Sequence, residues 1–71
     1  MTNTPLLEKY IERSGYKRAY IAKALGISSY TLAMKINNLS EFRASEIETL
    51  CELLNIDVVE RMEIFFAKVV D

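Results

Sequence analysis

Ser28, Ser29, Tyr30, Ala33, Met34 and Asn37 recur at the spacing of one helical face, and they offer hydroxyls, methyl groups and an amide for contact with a partner. Around them stand Lys17, Arg18, Lys23, Lys35 and Arg43, cations of the type that hold phosphates without reading sequence. The chemistry within reach is recognition rather than bond making. Histidine is absent and cysteine occurs once, which removes the usual general base, a nucleophile–base pair and a soft-metal cluster. Gly15 and Gly26 stand too far apart to form a phosphate-cradling loop. The carboxylates of the second half fall at capping or solvent-facing positions. We therefore expect no enzyme, no cofactor, no metal and no small-molecule substrate.

The element that must present this face is the stretch RAYIAKALGISSYTLAMKIN, from Arg18 to Asn37. Its first half places Tyr20, Ile21, Ala24 and Leu25 on one face, and Ala22 is small enough to let a second helix cross close by. Gly26 can take the positive φ that ends a helix, with Ile27 behind it to plug the angle. Ser28 is a good N-cap for the next helix, which turns Leu32 and Ile36 inward. The spacing predicts a helix-turn-helix over residues 17–37, whose second helix presents its outward strip as a recognition helix does to a major groove.

Three further helices support this corner, so the expected class is all-α with five helices in one domain over residues 1–71. Thr4 followed by Pro5 reads as an N-cap and first helical position, and Leu6, Leu7, Tyr10 and Ile11 form a stripe that Gly15 stops. Helix 2 is expected over residues 17–25 and helix 3 over 29–37. Asn37 and Asn38 open a loop through Arg43 in which Leu39 and Phe42 tuck back onto the core. Ser45 and Glu48 are spaced as a capping box for helix 4, which turns Ile47, Leu50, Cys51 and Leu54 inward before Asn55; Asp57 and Glu60 repeat the spacing for helix 5. Cys51, in an apolar stripe, reads as a buried, inert thiol. In helix 5, Val58, Val59, Met62, Phe65, Phe66, Val69 and Val70 exceed what one small core can cover. Part of the Val59, Met62, Phe66 and Val70 set is expected to stay exposed and to pack in a homodimer or on a partner. The chain is 51% apolar, enough for a small core close to the limit of self-sufficiency. It has no apolar run of membrane-spanning length and no signal-peptide pattern, so a soluble, cytoplasmic chain is expected.

The net charge of −1 hides an uneven distribution. Residues 1–43 carry Lys9, Arg13, Lys17, Arg18, Lys23, Lys35 and Arg43 against Glu8, Glu12 and Glu41, a net of +4. Residues 44–71 carry Arg61 and Lys68 against Glu46, Glu48, Glu52, Asp57, Glu60, Glu63 and Asp71, a net of −5. A charge run taken alone is usually a solvated face that confers solubility. Here the basic half coincides with the helix-turn-helix, which suggests two faces with different partners.

Ala22, Gly26, Ile27, Ser28 and Thr31-Leu32 together resemble the helix-turn-helix of the lambda-repressor-like (Cro/CI) family, and the five-helix layout is similar across nearly the whole chain. The segment LAMKINNLSEFRASEIETLCELLNI, followed by EIFF, is similar to small regulators of temperate phages of Gram-positive bacteria. The resemblance implies a role in a lysis–lysogeny switch in a bacterial host, where the family includes Cro-like repressors and modulators that bind the opposing repressor. By position it implies that Arg18 replaces the family's usual phosphate-clamping glutamine. It also implies that Ser28, Ser29, Tyr30, Ala33 and Met34 read base edges, with Asn37 near a phosphate. Lys35 departs from the pattern. The family makes that position apolar, so its stem must snorkel past the core or the helix must be rotated slightly.

Two functions stay open. One is a repressor that binds double-stranded operator DNA, with the outward strip of helix 3 in the groove and Lys17, Arg18, Lys23, Lys35 and Arg43 on phosphates. The other is an antirepressor that keeps the fold and binds the opposing phage repressor over its DNA-reading surface. Its carboxylates would be Glu48, Glu52, Glu60 and Glu63, and its apolar anchors Tyr30, Met34, Ile36 or Phe66. Residues 24–34 hold no Arg, Lys, Asn or Gln for a bidentate base contact. That absence weakens base reading and suits a protein partner.

Overall fold

Every helix among the described residues starts where a polar group takes up an orphaned first-turn amide or where a basic residue in extended conformation precedes the turn. The computed structural model describes residues 1–66. It forms α1 (Thr4–Ser14), α2 (Arg18–Leu25), α3 (Ser29–Ile36), α4 (Ala44–Leu54) and α5 (Val58–Phe65), with no strand among the described residues. The expected all-α class and five-helix order hold, with boundaries one or two residues from those predicted.

Two caps differ from the sequence expectation for physical reasons. Asn3, not Thr4, caps α1: its Oδ1 accepts from the Leu6 amide at 3.3 Å. The Thr4 hydroxyl is taken by a tertiary bond, donating to the Ile36 carbonyl at 2.5 Å. At α4 the helix begins at Ala44, so Ser45 already lies inside the first turn and cannot cap. Glu46 reaches back instead, its Oε1 accepting from the Arg43 amide at 2.8 Å. The α5 box forms as predicted: the Glu60 amide donates to Asp57 Oδ1 at 2.8 Å, and the Asp57 amide donates to Glu60 Oε1 at 3.1 Å.

The core gathers Leu7 and Ile11 of α1, Ile21 and Ala22 of α2, Leu32 and Ile36 of α3, Leu50, Cys51 and Leu54 of α4, Ile56, and Ile64 and Phe65 of α5. α2 packs on α3 and α4, and α1 reaches α3, α4 and α5. The buried face of α2 is centred on Ile21 and Ala22, so Tyr20 and Ala24, grouped on one face with Ile21 and Leu25 by the helical spacing, fall outside it and are exposed. Tyr20 lies against the Tyr16 ring at a centroid distance of 5.0 Å. Of the loop residues, Phe42 packs edge-on against Phe65 at 5.5 Å, whereas Leu39, predicted to tuck in, is exposed. In α5, Ile64 and Phe65 supply the core while Val58, Val59 and Met62, and Phe66 just beyond the helix, stay exposed; Val69 and Val70 lie outside the described residues.

A short strap before α1 ties the far end of α3 in place. The Thr2 amide donates to Asn38 Oδ1 and the Asn38 side-chain amide donates to the Thr2 carbonyl, both at 2.8 Å. The Asn3 amide donates to the Ile64 carbonyl at 2.6 Å. Asn38 sits at φ 64°, a left-handed conformation that asparagine tolerates better than most residues. Among the described residues no helix is long and apolar enough to cross a membrane.

Candidate functional site

The site is built from the turn between α2 and α3. Gly26 ends α2 at φ 73°, and the Ile27 amide donates back to the Ala22 carbonyl at 3.0 Å, closing the helix end. Ile27 packs against the core from the corner. Ser28 then caps α3: its Oγ accepts from the Thr31 amide at 3.0 Å and its hydroxyl lies 2.9 Å from Thr31 Oγ1 as donor. With Leu32 and Ile36 fully buried, the rotation of α3 about its axis is fixed.

That rotation decides where the predicted site residues lie. Ser28, Ser29, Tyr30 and Asn37 are exposed, and Ala33 and Met34 are half-buried along the same side. Tyr30 is the most prominent, at 74% exposure. The Asn37 side-chain amide is spent on its own helix, donating to the Ala33 carbonyl at 3.0 Å. Lys17, Arg18, Lys23 and Arg43 are exposed. Arg18 Nη2 lies 3.0 Å from Glu8 Oε2, an exposed ion pair that a phosphate can replace at little cost.

Three predicted contacts are corrected. Lys35, placed on phosphates by the sequence reading, is buried between Leu32 and Ile36, and its Nζ lies 2.5 Å from Glu46 Oε1. The stem does not snorkel outward because a carboxylate waits inside. Ile36, named as an apolar anchor for a partner, is fully buried in the core and offers nothing outward. Glu60 is half-buried and occupied: one oxygen accepts from the Asp57 amide and the other from the Tyr10 hydroxyl. Glu48, Glu52, Glu63 and Phe66 are exposed, but on α4, α5 and its end rather than on α3. The fold thus assembles the hydroxyl and methyl groups on one helix and leaves the remaining carboxylates on two others.

Glu46 is the residue that sequence reasoning missed. The signal was present, since a lysine flanked at helical spacing by two core residues needs a counter-charge, and Glu46 is the first acid of the helix that follows. Burial alone pushes its carboxyl group up. The Lys35 ammonium, the Arg43 amide and the Arg43 charge outweigh that and hold it below the ordinary glutamate value. Cys51 behaves as a buried structural thiol: burial raises its pKa, and the neighbouring Arg61 guanidinium only partly opposes this.

No curated protein and no solved structure gives a significant match to the chain. Residues 3–68 match the family described as protein of unknown function (DUF739). That match spans almost the entire sequence, and the chain belongs to the DUF739 family.

Proposed function

We propose that the chain is a phage-type transcriptional regulator of the Cro/CI class, whose α2–turn–α3 corner is a helix-turn-helix and whose α3 enters the major groove of an operator in a genetic switch. The observation that supports the reading most is the combination at that corner. Gly26 and Ser28 set α3 so that Ser29, Tyr30, Ala33 and Asn37 look outward while Leu32 and Ile36 anchor it. The exposed cations Lys17, Arg18, Lys23 and Arg43 suit the flanking phosphates. The exposed Val59 and Met62 of α5 and Phe66 at its end fit a homodimer contact, because pairing two such modules lets them read two half-sites.

Base reading on this model rests on hydroxyl contacts from Ser29 and Tyr30 and on thymine-methyl contacts from Ala33 or Met34, without a bidentate pair. Substitution separates the roles. Arg18→Ala should weaken binding to all duplexes and flatten the salt dependence by about one phosphate contact, while Tyr30→Ala should act on site preference. Equal loss on every sequence from both variants would remove α3 as the reading element.

A second reading is favoured by the burial of Lys35. With that ammonium withdrawn, the outward side of α3 has an exposed tyrosine and a half-buried methionine at its centre and no cation of its own. Such a surface suits a protein partner. On this reading the chain is an antirepressor that docks on the opposing repressor, with Glu48, Glu52 and Glu63 steering the encounter.

A further inference from the structure

We infer that Glu46 is a specificity-determining positioning residue: by holding the Lys35 ammonium beneath α3, it keeps the outward face of that helix free of cationic charge, so that docking there is selected by side-chain fit rather than by attraction to any polyanion. This deepens the proposed recognition role of α3 and rests on it.

One carboxylate oxygen does two things. Glu46 Oε1 accepts from Lys35 Nζ at 2.5 Å and from the Arg43 amide at 2.8 Å, so it joins the last turn of α3 to the first residue before α4. Both side chains of the ion pair are more than nine-tenths buried. Lysine has a four-carbon stem and a strongly hydrated head, and it stays inside only while a fixed anion compensates the lost water. Without that anion the head turns outward to solvent at the end of α3, beside the exposed Arg43. A helix that reads a surface would then carry a flexible cation, which raises affinity for every phosphate backbone alike. The present arrangement avoids this at a position where the sequence shows a lysine.

The test compares Glu46→Gln, Lys35→Met/Glu46→Gln and Glu12→Gln with the wild-type chain, measuring binding to a random-sequence duplex as a function of salt. Glutamine keeps an acceptor for the Arg43 amide but removes the anion. Glu12→Gln makes the same change in net charge from an exposed site on α1. Glu46→Gln should bind the random duplex more tightly than the wild type, with a salt slope steeper by about one phosphate contact, which corresponds to about three- to fourfold more affinity lost between 50 and 200 mM salt. The double variant and Glu12→Gln should keep the wild-type slope. Equal shifts in Glu46→Gln and Glu12→Gln, or an unchanged slope in a folded Glu46→Gln, would overturn the inference. Lysine acylation of the wild-type chain, followed by mass spectrometry, needs no variant to fold. Lys35 should react far more slowly than Lys17 and Lys23, and comparable rates would overturn the inference as well. Because the duplex is random, these outcomes are independent of whether the wild type has an operator.

Discussion

The side-chain amide of Asn38 and the backbone of Thr2 exchange a reciprocal pair of hydrogen bonds, each of 2.8 Å, across 36 residues of sequence. The pair closes the strap over the end of α3, next to the Thr4 bond to the Ile36 carbonyl. Asn38→Ala removes both bonds and puts an alanine at φ 64°. At about 1 kcal/mol net per bond plus the left-handed strain, the loss should be about 2–3 kcal/mol. In a chain of this size that lowers the midpoint of thermal unfolding by roughly 10 °C or more. Asn38→Gly relieves the strain and should lose less. Equal midpoints for the wild type and Asn38→Ala would show that the strap does not hold α3.

The Lys35–Glu46 pair should give the chain an acid-sensitive stability. The folded-state pKa of Glu46 lies below its ordinary value of 4.5. Its stabilising contribution is therefore complete above that value and is lost as pH falls through the folded-state pKa. Glu46→Gln removes the ion pair and lets the Lys35 head turn out to solvent, and should cost about 1–3 kcal/mol at neutral pH. The difference from the wild type should shrink below pH 4.5, read by urea unfolding at a series of pH values. A difference that stays constant from pH 7 to pH 3 would contradict the role assigned to the pair.

Tyr30 is 74% exposed and makes no core contact, so Tyr30→Ala should leave stability within about 0.5 kcal/mol of the wild type. The same substitution should weaken sequence-selective binding by about 1–3 kcal/mol. Unfolding and binding are measured on one preparation. A destabilised but binding-competent variant would place Tyr30 in the fold rather than at the recognition surface.

Self-association should follow the exposed side chains of α5. Val59, Met62 and Phe66 are each more than half exposed. Sedimentation velocity across micromolar concentrations should show a monomer–dimer equilibrium in the wild type and a monomer in Met62→Lys. A wild-type chain that remains monomeric at every concentration would remove the α5 contact.

Much of the fold was legible because short-range rules act alone there. Gly26 and Ser28 at the corner, the Asp57–Glu60 box and the inward stripe of α4 depend on residues within a turn of one another. The misreadings share the opposite cause. Thr4 had a good capping side chain, but a carbonyl 32 residues away took its hydroxyl. Tyr20 matched the helical period, yet where α2 turns its buried face is set by α3 and α4. Lys35 looked like a surface cation because its partner lies 11 residues on, in another helix. For the site, the residue types on the outward side of α3 could be read directly. The wider set of predicted contacts shrank once Lys35 and Ile36 of α3 and Glu60 of α5 found partners within the fold.

The most direct measurement is an electrophoretic mobility titration of the wild-type chain against duplexes flanking its own gene, with and without the opposing repressor. The expected result is a discrete, salt-sensitive complex on a particular duplex without that repressor, weakened in Tyr30→Ala by the factor that about 1–3 kcal/mol implies. No complex with any of these duplexes at high micromolar concentration, together with release of the opposing repressor from its own site when the chain is added, would contradict operator reading by α3 and leave a protein surface as its partner.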